Sequence, residues 1–239
     1  MYSLKPLSHF LETFGQPTVP ASLSYPPGAE NTIFLSEGVV LGESVYIGPF
    51  SQIIGDVRLG GGVKIVGNCV IDGTNGPVII GVGTVIEPHT LIVGPAVIGK
   101  NCTILAGCIM RDSSCGDRCK LGAHINRTKM GHRVNAKYGD INLLDGTIGN
   151  DVNVSACTTF YNWGGSGPKK ETWVGSGSFI GGKIIAPRRI GSNVYMVAGL
   201  KIRKDIPDNT YVDPEGEFHP NDMENDGNGH WVRIRINKN

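Results

Sequence analysis

The feature that most limits what this 239-residue chain can become is a repeat of six. From about Leu41 the sequence reads LGESVY, IGPFSQ, IGDVR, LGGGVK and IVGNCV. Further on come IGVGTV, IEPHTL, IGKNCT, ILAGCI, CGDRCK, LGAHIN, MGHRVN, IGNDVN and VSACTT, and finally VGSGSF, IGSNVY and MVAGLK. Each hexad opens on an aliphatic residue, often followed by glycine, and carries a small or β-branched residue at its fifth place. Two inward positions in six fit the short strands of a parallel β-helix, in which hexapeptide repeats stack as coils. Neighbouring coils then pair about 4.8 Å apart. One coil cannot bury its own apolar row, so stability comes from stacking, and the two end coils need caps over their open strand edges.

Composition agrees with many short strands separated by tight turns. The chain has 35 glycines, few aromatics and an apolar set rich in Val and Ile. With 22 basic against 21 acidic residues, net charge favours neither a nucleic-acid nor a membrane-surface partner. No apolar run nears the roughly 18 residues of a membrane span. The N-terminus, MYSLKPLSHFLETF, lacks a basic region followed by an apolar core, so the expected compartment is cytoplasmic. Of the six cysteines, Cys69, Cys102, Cys108 and Cys119 fall at the fifth place of a hexad and Cys115 at the first. They read as small core residues, and no tightly bound metal is expected.

The repeat is expected over residues 35–212, flanked by a cap and linker over 1–34 and an acidic loop and strand over 213–239. Residues 3–14 read as a short helix, with Ser3 as cap, Leu4, Leu7, Phe10, Leu11 and Phe14 near one face, and Gly15 as stop. Residues 16–30 are proline-rich and read as a linker. The tail PEGEFHPNDMENDGNGH, with His219 and His230, reads as a solvated loop. In HWVRIRIN, Val232, Ile234 and Ile236 alternate with Arg233 and Arg235, as in a strand.

Charge is uneven along the chain. Residues 100–137 hold eight Lys or Arg against Asp112 and Asp117, 183–204 hold six with no acid, and 205–226 hold eight acids with no Lys or Arg. These are either solvated corners or two anion sites, one for a phosphorylated substrate and one for a nucleotide-like cofactor. Between Phe160 and Thr172 the regular rhythm is broken by the polar loop FYNWGGSGPKKET. A loop that interrupts a solenoid without ending it is a candidate functional segment.

The second half resembles one family. IGNDVNVSACTTFYNWGG and KKETWVGSGSFIGGKIIAPRRIGSNVYMVAGLKIRKDIPDN follow, in order, the hexads, loop, lysine arm, Ala-Pro dipeptide and basic end of a known domain. It is the acetyltransferase domain of the bacterial bifunctional glucosamine-1-phosphate acetyltransferase and N-acetylglucosamine-1-phosphate uridyltransferase. The hexapeptide pattern over roughly 35–212 also resembles the left-handed parallel β-helix acyltransferases, which implies a left-handed coil and a homotrimer. The resemblance implies acetyl-CoA, or another acyl-CoA, as co-substrate and a small anionic amino-sugar phosphate or nucleotide-sugar as acceptor. Carried over by position, Arg111 meets the sugar phosphate, Asn153 the sugar, and Asn162 and Trp163 the region of the acetyl group. Lys169 or Lys170 is the arm lysine. Ser176 and Ala198 lie on the acyl-CoA side, or simply pack the coil, and Lys201, Arg203 and Lys204 are placed for cofactor phosphates.

Amide formation needs a base near the attacking amine and donors for the oxyanion. The family's histidine base has no counterpart in AKYGDINLLDG, residues 136–146, where its position falls on Tyr138, Gly139 or Asp140. Asp140, His132 and His124 are therefore the candidate catalytic bases. The alternative is a relative that binds a sugar phosphate, or acts as a scaffold, without catalysis. A third reading, a zinc protein like the gamma-class carbonic anhydrases, would draw on His89, His124 and His132, whose spacing lacks that class's close histidine pair.

Overall fold

The computed structural model describes residues 4–6, 23–225 and 231–233. The repeat forms a parallel β-helix, and among the described residues there is no helix. Strands of seven to eleven residues, such as Leu91–Ile98, Ile109–Cys115, His124–Met130 and Asn142–Ile148, stack in parallel register in a 14-stranded sheet. Shorter strands, from Tyr46–Ile47 through Asn153–Val154 to Thr210–Val212, stack in an 11-stranded sheet that forms a separate face.

The long strands have two halves. Alternation of buried and less buried side chains holds through Asp145 and breaks at Gly146, just after the backbone enters the left-handed region at Asp145 with φ 52°. Arg127 and Asp112 do the same one and two coils earlier, with φ 47° and 46°. The coil carrying the polar loop makes the division plain. Thr159–Tyr161 and Thr172–Val174 are separate strands, and both pair with Asn142–Ile148. A coil thus has a first face, a second face beyond the left-handed corner, and the short-strand third face.

Inward positions follow the hexads. Ile86, Ile92, Ile98, Ile104, Leu121, Ile125, Val154 and Ile180 are fully or almost fully buried, and Thr84, Thr90, Thr158 and Ser178 fill fifth places. Each large aliphatic side chain contributes roughly 1.5–3 kcal/mol on burial. Phe160, in the strand that leads into the loop, is wholly buried. It lies against Gly146, where a Cβ would come within 2.9 Å of its ring. Cys69, Cys102, Cys108, Cys115 and Cys119 are buried and unpaired, as core positions require, whereas Cys157 is exposed.

A ladder of side-chain acceptors ties the corners between the second and third faces. Asp117 Oδ1 accepts the Lys100 N–H (2.8 Å), His132 Nδ1 that of Asp117 (2.9 Å), Asn150 Oδ1 that of His132 (2.8 Å) and Ser176 Oγ that of Asn150 (3.0 Å).

The ends depart from expectation. Leu4–Pro6 is a strand, antiparallel to Phe34–Ser36, in place of the expected helix start. The first coil offers an open strand edge whose groups need partners, and Pro6, which has no N–H, is tolerated on an edge strand. Residues 7–14 of the expected helix lie outside the described residues. At the other end the acidic segment is more than a solvated loop. Phe218–Pro220 pairs antiparallel with Thr210–Val212, and His219 Nε2 lies 2.8 Å from Asp213 Oδ2. Met223–Asn225 pairs antiparallel with Trp231–Arg233, so the strand expected around Val232 forms there. No helix among the described residues is long and apolar enough to cross a membrane.

Candidate functional site

The polar loop leaves the corner between the first and second faces. Its base is closed by the backbone, Lys170 N–H donating to the Asn162 carbonyl at 2.7 Å. It is tied down by a charged cluster one and two coils below. Arg127 grips Asp145 through Nε–Oδ1 (2.5 Å) and Nη2–Oδ2 (2.9 Å), and the Asn162 amide donates to the same Asp145 Oδ2. Asp145 is nearly buried, while Arg127 is partly exposed. The Arg127 guanidinium, outweighing burial and helped by Asn162 and Lys169, holds the Asp145 carboxyl below the usual carboxylate range. Trp163 is exposed, and its indole N–H donates to the Gly167 carbonyl at 3.0 Å, folding the loop back on itself.

The first face runs beneath this loop. Register places Ile109, His124, Asn142, Thr159, Lys183 and Lys201 in one column, and Arg111 and Asn126 in the next outward column. Arg111 lies about 14 Å, three coils, from the loop's coil, and His124 about 10 Å along the strand from Arg127. At the other margin of this face Asp140 Oδ2 accepts both the backbone N–H and the thiol of Cys157, each at 3.0 Å. That carboxylate pushes the Cys157 thiol up. The first face and its two margins therefore gather Arg111, His124, Asp140, Asn162, the lysine-bearing loop and Lys201.

Other expected site residues lie elsewhere in the chain. Asn153 is on the third face, paired in register with Asn135 and Phe179. His132 and Ser176 are rungs of the corner ladder, and the His132 Nδ1 lone pair is occupied by the Asp117 N–H. Ser176 also borders a groove of about 640 Å³ with Trp173, Arg189, Asp205 and Asp208, where the Arg189 guanidinium sits 4.9 Å above the Trp173 ring. Ala198 is on a different corner, against Gly181. Lys201, Arg203 and Lys204 line a second cleft of about 400 Å³ with Glu215, Glu217 and Phe218. The acyl-CoA set is thus divided among three places on one chain. His89 stands on a third-to-first-face corner, remote in the coil from His132. Among the described residues the one group of side chains close enough to share a metal ion contains no histidine.

Sequence reasoning passed over Asp145 and Arg127. Their signal was the coil length, because a separation of 18 residues stacks two positions of this solenoid directly.

Residues 38–73 match the bacterial transferase hexapeptide (six repeats) model. Over these residues the chain resembles the hexapeptide repeats of that bacterial transferase type. It is 36% identical over 195 residues to the bifunctional protein GlmU of Geobacter sulfurreducens, covering 73% of this chain and 40% of that protein. It is 34% identical over 104 residues to the GlmU of Aquifex aeolicus, covering 42% and 22%. The chain therefore spans less than half the length of these curated relatives. A crystal structure of UDP-N-acetylglucosamine acyltransferase aligns at 19% identity and a TM-score of 0.48, covering 79% of this chain and 70% of that one.

Proposed function

We propose that this protein is a CoA-dependent acyltransferase, most simply an N-acetyltransferase, that acylates the amino group of an anionic, sugar-like acceptor. The observation that carries the reading is the anchored loop over the first face. Asp145 and Arg127 fix Asn162 at a corner, the lysine arm supplies positive charge beside it, and Arg111 supplies more, three coils along the same face. In this reading the working site lies between subunits of a homotrimer. That arrangement accounts for Asn153, Ser176, Ala198 and the cationic cleft of Lys201, Arg203 and Lys204 lying on different faces of one chain.

His124 is the base best supported. It faces outward on the first face, whereas the His132 lone pair is committed to the Asp117 N–H and Asp140 already accepts two hydrogen bonds from Cys157. His124 would take the amine proton as nitrogen attacks the thioester carbonyl, and CoA would leave as the thiol. No resident metal is part of this chemistry. The test is thiol release from acetyl-CoA with glucosamine 1-phosphate and a panel of amino-sugar phosphates, on the wild type and on His124→Gln, Asp140→Asn and His132→Asn. Turnover abolished by His124→Gln alone supports the assignment.

A second reading, a non-catalytic sugar-phosphate-binding or scaffold relative, draws on the same commitment of His132 and Asp140 to structure. Saturable binding of the sugar phosphate with no thiol release by any acyl-CoA would select it.

A further inference from the structure

The hexad pattern explains why cysteines at fifth places are buried, but not why two of them meet a third at a first place. Cys102, Cys115 and Cys119 place their sulfurs within 4.8 Å of one another in the core, behind the corner between the second and third faces. Cys102 and Cys119 occupy equivalent positions of successive coils, as the register of Thr103 with Lys120 shows, and the Cys119 N–H points to Cys102 Sγ at 3.4 Å. Cys115 completes the triangle from the first place of its hexad. The equivalent first places in coils before and after are Leu59, Ile80, Ile98, Met130, Ile148, Val174 and Ile190, all larger or aliphatic. Only here does a sulfhydryl replace the aliphatic residue, and it does so beside two other thiols. Met130, a thioether, is its register partner in the next coil.

We propose that Cys102, Cys115 and Cys119 form a three-sulfur site for one monovalent copper ion. An ion about 2.3 Å from each of three thiolates holds the sulfurs about 4 Å apart, a separation inside the 4.8 Å within which all three lie. The donor set is all soft sulfur, which suits Cu(I), zinc and iron–sulfur clusters, and the number of ligands favours Cu(I). A structural zinc ion takes four protein ligands, and a catalytic one keeps an open position for water. Among the described residues no His, Asp, Glu or further Cys side chain joins this cluster as a fourth ligand, and all three cysteines are buried. Binding involves no electron transfer. Cu–S bonds form as thiol protons leave to solvent, and the S–H donations now made by Cys102 to the Gly116 carbonyl and by Cys119 to that of Gly131, both at 3.2 Å, are given up. Affinity therefore rises with pH. The inference does not depend on the acyl-transfer reading.

The experiment is anaerobic titration of the reduced 239-residue chain with Cu(I) buffered by bicinchoninate, together with copper analysis of protein expressed in copper-supplemented medium. Expected is one chelator-resistant copper per chain, with X-ray absorption showing a sulfur-only shell. Cys102→Ser, Cys119→Ser and Cys115→Val should each lose it. Cys115→Val restores the aliphatic residue usual at that place, so its thermal midpoint shows that lost copper is not lost folding. Cys69→Ser, Cys108→Ser and Cys157→Ser should keep it. No retained copper by either route, copper that persists in Cys115→Val, copper lost with Cys157→Ser, or preferential retention of zinc each overturns the proposal.

Discussion

Arg127 and Asp145, 18 residues apart, stack on successive coils and close a two-pronged ion pair, Nε–Oδ1 at 2.5 Å and Nη2–Oδ2 at 2.9 Å. Both hold left-handed backbone at the same corner, a conformation that costs a non-glycine residue roughly 1–2 kcal/mol. The Asn162 amide shares the carboxylate, so the pair fixes where the polar loop begins.

Asp145→Ala should remove both the ion pair and the loop anchor. Charged hydrogen bonds contribute about 1.5–3 kcal/mol each, but Arg127 is partly exposed and solvent screens it. The expected loss is about 1–2 kcal/mol, read from chemical denaturation, with faster proteolytic nicking between Asn162 and Glu171. Unchanged nicking would show that the loop is held by its own backbone contacts.

The same pair sets a pH dependence. Asp145 has its carboxyl depressed by Arg127, and Asp151, paired with Arg133, shifts the same way. A depressed carboxylate adds stability above its unfolded value, about 3.9, and that stability is lost as pH falls through the folded value. The thermal midpoint of wild type should exceed that of Asp145→Asn at pH 7 and 5, and the gap should close below about pH 4. A gap independent of pH would mean that packing, not charge, is responsible.

Phe160→Ala should be the costlier core change, at about 3–5 kcal/mol, because the ring is wholly buried against Gly146. Gly146→Ala should also destabilise, since the new methyl meets that ring. In the double variant part of the Gly146→Ala cost should be recovered, measured as a coupling energy by urea unfolding. Simple additivity would place the two residues out of contact.

If the first face is catalytic, His124→Gln should lower turnover by about 10²- to 10⁴-fold with little change in the thermal midpoint. His132→Asn should do the reverse, because its ring accepts the Asp117 N–H in the corner ladder while Asn can supply only an imperfect substitute. Equal activity losses in both variants would remove the distinction between base and rung.

The fold was legible because its physics is periodic. Ile86, Thr90, Ile92 and Ala96 are buried in the order that the hexads require, and the burial of Cys69 and Cys108 followed from place in the repeat alone. The N-terminal helix was misread at its start because the Leu periodicity of residues 3–14 is a local signal. The pairing of Leu4–Pro6 with Phe34–Ser36 depends on an edge some 30 residues away.

The site was legible in part. FYNWGGSGPKKET could be marked as an insertion because it breaks the period, while Arg111, His124 and Asp140 entered as candidates through the family resemblance. That His132 and Ser176 are corner rungs, that Asp145 and Arg127 hold Asn162, and that three sulfurs converge at one corner were decided by stacking. The sequence by itself determined which side chains face the core, since a six-residue period sets inward and outward along a coil. Only the tertiary structure decided which outward residues become neighbours, since left-handed corners and coil-to-coil register bring together positions that no local pattern relates.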